Sequence, residues 1–182
     1  MTALGSVFGV AIAALAVVPV GIALFTDLMS GLGVAVVGIG VAIFLAGIGS
    51  SAGVGIAGEA ASGIVAEEPE KFGRLLLLQA LPGTQGIYGF VAGFLALQQV
   101  NAFGSALTLA QGREILVACA PVAIACLVSG VYQGRCSAAA MQIVAKKPEE
   151  SGKALILPAL VEFYAVLGLL GRTPDVIVSG IN

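Results

Sequence analysis

The chain has 182 residues, of which 59% are hydrophobic and 10% charged, and its mean hydropathy is +1.08. That balance lies far outside soluble globular usage and points to a protein embedded in a lipid bilayer. The net charge of −2 offers nothing to nucleic acid, and the absence of histidine removes the commonest metal ligand and general base.

Ser6 to Phe25 is an apolar run closed by Thr26 and Asp27. No basic residue precedes it, which makes it a poor secretory signal. Residues 1–30 therefore read as an extra N-terminal membrane helix, with a processed leader as the alternative. Pro19 kinks such a helix without excluding it.

Gly31 to Ala66 is a second long apolar stretch, in which Gly38, Gly40, Gly47, Gly49, Gly53, Gly55 and Gly58 clear bulk from more than one face. Such spacing lets helix backbones approach closely in lipid. It does not make a nucleotide loop, because no strand precedes these glycines and no phosphate-binding lysine follows them. Glu59 reads as interfacial. A short charged turn, Glu67 to Lys71, comes next, with Arg74 just after it.

Leu75 to Val100 is a further span, interrupted by the segment from Pro82 to Tyr88, and Asn101 to Gly112 is a polar connection. Ile115 to Ala145 is another long helix, holding Gln133 and Arg135. Lys146 to Glu150 is a second charged turn. A last helix runs from Lys153 and ends at Arg172, Pro174 and Asp175. Cys119, Cys126 and Cys136 lie in apolar helical sequence without pairing or clustering, which reads as buried free thiols.

The two halves repeat. Ile64-Val-Ala-Glu-Glu-Pro-Glu70 aligns with Ile143-Val-Ala-Lys-Lys-Pro-Glu149 at an offset of 79, which also pairs Gly55 with Gly134, Arg74 with Lys153 and Gly83 with Glu162. The expected fold is all-α and transmembrane: two tandem helical hairpins, four long membrane helices in all, plus the extra N-terminal helix. The first hairpin, 31–107, lacks the carboxylate, and the second, 108–182, carries it. Lys71, Arg74, Lys146, Lys147 and Lys153 gather at the hairpin turns, against mainly Arg113 and Arg172 on the other side. The expected placement is a multi-pass protein of the cell membrane with turns 67–72 and 146–152 cytoplasmic.

Between Ala154 and Leu170 the only ionisable groups are Glu162 and Tyr164, with Glu162 in the middle of the span. A lone carboxylate at that depth costs at least ~2.5 kcal/mol, so it must be protonated, paired or holding a cation. Leu81, Thr84, Gln85 and Tyr88 share one face of their helix by i, i+3, i+4, i+7 spacing. Thr84, Gln85, Gln133 and a backbone carbonyl loosened by Pro82 and Gly83 would give Glu162 an all-oxygen shell. Such a shell suits a hard monovalent cation rather than a soft metal.

Leu81-Pro-Gly-Thr-Gln-Gly-Ile-Tyr-Gly-Phe90, Gln133-Gly134, Ala145-Lys-Lys-Pro-Glu149 and Val161-Glu-Phe-Tyr164 closely resemble the duplicated proteolipid of bacterial V-type (V/A-type) rotary ATPases, over roughly Phe44 to Leu170. The resemblance implies a non-catalytic subunit of a membrane rotor ring, surrounded by lipid. Its implied partners are copies of itself, a stator subunit with an arginine, and central-stalk subunits. In the sodium branch of that family the groups matching Glu162, Gln133, Thr84, Gln85 and the Leu81 carbonyl hold the ion, and Tyr88 matches a residue that hydrogen-bonds the carboxylate. Three rivals stand beside the sodium reading: a proton-carrying rotor of the same fold, a small secondary transporter, and a structural proteolipid. The absence of a P-loop puts ATP hydrolysis on other subunits.

Overall fold

The computed structural model describes residues 23–103 and 107–171. Most of the expected extra N-terminal helix, and the polar end beyond Gly171, lie outside the described residues. Helix α1 spans Gly31–Glu67, α2 Phe72–Ala80, α3 Thr84–Phe103, α4 Leu109–Lys146 and α5 Ser151–Leu170. Short 3-10 turns at Pro69–Lys71, Leu81–Gly83 and Pro148–Glu150 join them. Among the described residues four segments are long and apolar enough to cross a membrane: Gly31–Glu67, Pro69–Asn101, Leu109–Lys146 and Pro148–Leu170. They form the expected pair of tandem hairpins.

The long helices begin where side chains supply missing backbone acceptors. Ser30 caps α1 by accepting the Gly33 amide at 3.0 Å. At α4 the Thr108 hydroxyl accepts the Gln111 amide at 3.3 Å while Gln111 Oε1 accepts the Thr108 amide at 2.9 Å. This capping box starts α4 at Leu109, six residues before the Ile115 expected from the apolar run, and shortens the polar connection. At 37 and 38 residues, α1 and α4 are about 55 Å long, well beyond a hydrocarbon core of about 30 Å. Their ends therefore stand outside the apolar layer.

α1 and α4 pack side by side along their lengths. Gly31 packs near Gly112, Gly49 near Gly130 and Gly53 near Gly134, so closely that a methyl on any of them would fall on backbone atoms of the facing helix or of the residues that lead into it. Each pair is separated by 81 positions, so the two helices run parallel in constant register. Van der Waals contact between bare backbones replaces the hydrophobic drive that lipid cannot supply. α2 and α3 return along α1, and α5 along α4. Lys71, buried in the first turn, donates to the Ala145 carbonyl at 2.5 Å and pairs with Glu68 at 2.5 Å, tying the first turn to the end of α4.

Candidate functional site

Pro82 has no amide to continue the helix and would clash with the turn before it. The chain answers with the 3-10 turn Leu81–Gly83, which separates α2 from α3 and puts Thr84 at the head of α3. The Leu81 carbonyl therefore accepts the Thr84 amide three residues on, and also the Thr84 hydroxyl at 2.9 Å. The sequence leads one to expect a free carbonyl here; tight 3-10 closure gives it a partner that a ligand must share or displace.

From α3 the polar groups form a relay into the second hairpin. Thr84 Oγ1 shares its one proton between the Leu81 carbonyl and, more weakly, Gln85 Oε1 at 3.4 Å, Gln85 Nε2 donates to Gln133 Oε1, and Gln133 Nε2 donates to the Pro158 carbonyl at 3.1 Å. Gln85 and Gln133 are completely buried. A buried amide without partners costs several kcal/mol in lipid, and here each NH2 group is spent on a protein acceptor. Those bonds fix which way the two amide oxygens point. The Pro158 carbonyl is the one participant with no signal in its residue type. Proline at 158 advertises a missing amide, yet it is the carbonyl of the same residue that holds Gln133.

Glu162 completes the cluster from α5. Tyr88, one turn beyond Gln85 on α3, donates its hydroxyl to Glu162 Oε1 at 2.5 Å, across the gap between hairpins. Hydrogen bonds to a carboxylate are short and worth about 1.5–3 kcal/mol. Two of these bonds cross between the hairpins, Gln85 to Gln133 and Tyr88 to Glu162, while Leu81 and Thr84 bond beside Gln85 within the first. Gly83, the repeat counterpart of Glu162, has only Val54 among the described residues near the position its side chain would occupy. The three cysteines are free thiols.

The chain matches the family model of the ATP synthase C subunit twice, at residues 37–96 and 116–171, and the two matches begin at the spacing of the internal repeat. It belongs to the ATP synthase C-subunit family. Members of that family are the ion-carrying rotor subunits of membrane-embedded rotary ATPases. The chain is 48% identical over 136 residues to the V-type sodium ATPase subunit K of Enterococcus hirae, covering 75% of this chain and 85% of that protein. It is 37% identical over 134 residues to the A-type ATP synthase subunit K of Methanocaldococcus jannaschii, covering 74% of this chain and 57% of that one.

Proposed function

We propose that this rotor protein carries one sodium ion per chain, held by Glu162, Gln133, Thr84, Gln85 and the Leu81 carbonyl, with Tyr88 steadying the carboxylate. The observation that carries this reading is the buried amide relay from Thr84 to Pro158. A proton needs a carboxylate and little else. Sodium needs several oxygens to replace its hydration shell, and two fully buried glutamines with oriented oxygens are a costly thing to keep for any other purpose. The similarity to a subunit of a sodium ATPase supports the same choice.

The cycle follows from desolvation. With sodium bound, Glu162 is neutralised and the site can face lipid; emptied, the carboxylate is charged and must stand against a compensating cation, an arginine of the stator subunit. Copies of the chain form the ring, central-stalk subunits attach to it, and other subunits hydrolyse or make ATP. The turns at 67–72 and 146–152 face the cytoplasm, where the lysines concentrate. Residues 31–107 and 108–182 act as the two hairpin units, of which only the second carries the ion-binding carboxylate.

Gly83 leaves the first hairpin without a carrier, so a ring moves half as many ions per turn as it has hairpins. Equilibrium binding of radioactive sodium to purified rings is expected to saturate at one ion per chain. Two ions per chain, or none, would contradict the assignment.

A further inference from the structure

Gly40, Gly47 and Gly55 lie on one face of α1, and a methyl built on any of them meets nothing within 4 Å among the described residues. The repeat makes this openness informative. Their counterparts, 79 positions on, are Cys119, Cys126 and Gly134, all buried. The last two carry the α4 surface that packs on α1 at Gly49 and Gly53. α1 thus carries an uncovered version of the surface with which α4 grips α1.

The second hairpin has the matching vacancy in its packing. A cavity of about 570 Å³ lies between α4 and α5, walled by Ala125, Val128, Ser129, Tyr132, Val161 and Tyr164. Its counterparts in the first hairpin are Ala46, Gly49, Ser50, Gly53, Pro82 and Gln85, the surface against which α4 sits within the chain. The Ser129 hydroxyl in the cavity wall is buried and has no hydrogen-bond partner among the described residues. The in-chain register of 81 and the repeat of 79 differ by two residues, about 200° around a helix, so the two gripping faces of each long helix lie on opposite sides. That is the arrangement a closed ring requires.

We propose that the cavity receives α1 of the next copy in the ring, and that Glu59 of that copy pairs with Arg135. The inference rests on ring assembly. Carrying the in-chain register forward sets Ser51 of the next copy against Val128, its Gly55 against Tyr132, and its Glu59 against Cys136, beside Arg135. Glu59 and Arg135 are both exposed and make no ion pair among the described residues; Arg135 only lies over the Tyr132 ring at 5.5 Å. The same seating brings Leu160, Phe163 and Tyr164 against Val54 and Gly83 of the next copy. The between-copy counterpart of the ion site is therefore dry and uncharged.

Charge reversal tests the pairing. Glu59→Arg alone and Arg135→Glu alone are each expected to lose most of the ring that survives detergent electrophoresis, because like charges then face one another at every interface. The double reversal is expected to restore it. Gly55→Leu, which has free space within its own chain, is expected to leave the chain in the membrane and block ring formation. Intact rings from either single reversal, no recovery in the double, or normal rings from Gly55→Leu would overturn the proposal, the last placing lipid in the cavity. Ion carriage is read separately: its site lies within one chain, so carbodiimide labelling of Glu162 is expected to persist in unassembled Arg135→Glu chains.

Discussion

Glu162→Gln is expected to abolish sodium-coupled ATP hydrolysis and sodium transport while rings still assemble. The amide has nearly the shape of the carboxylate and still offers an oxygen to Tyr88, which donates to Glu162 at 2.5 Å, so the contact between hairpins survives. The charge does not. Without it the site cannot neutralise sodium, and an uncharged carrier makes no distinction between the lipid and an arginine on the stator. The measurement is sodium-stimulated ATPase activity and sodium uptake by reconstituted complexes, with ring content on detergent gels as the control. Transport that persists in this variant would end the carrier reading.

The second large effect is expected from Gln133→Ala. The change removes one of the oxygens proposed to hold the ion, leaves the Gln85 amide nitrogen without its acceptor in a fully buried position, and frees the Pro158 carbonyl. A buried group deprived of its partner costs about 1–3 kcal/mol. Sodium affinity should therefore fall about ten- to a hundredfold. A proton carrier would scarcely notice, because its carboxylate and Tyr88 are both intact. The apparent sodium affinity of ATP hydrolysis separates the two cases, and an unchanged value would favour protons.

The parts of this architecture that announce themselves in the sequence are those where a polar group stands in an apolar run. Glu162, Gln133, Thr84, Gln85 and Tyr88 are conspicuous because lipid makes them expensive, and the repeat aligns the two hairpins. Backbone groups leave a fainter trace. The Pro158 carbonyl that orients Gln133 has no counterpart in the residue types, and the Leu81 carbonyl, flagged by Pro82 and Gly83, is already occupied by Thr84. Lys71 reads as one more cytoplasmic cation, yet its buried amine closes the first turn onto Ala145. The early start of α4 hides in Thr108 and Gln111, which look like linker residues until the capping box pairs them.

The central claim is that Glu162 itself binds sodium, and competition for that carboxyl group tests it most directly. Carbodiimides react with the protonated acid, so an ion that occupies the site blocks the modification. Purified rings labelled at fixed pH with rising sodium are expected to lose modification at Glu162, with half-protection shifting to higher sodium in Gln133→Ala. Labelling of Glu162 that stays constant as sodium rises would contradict the account.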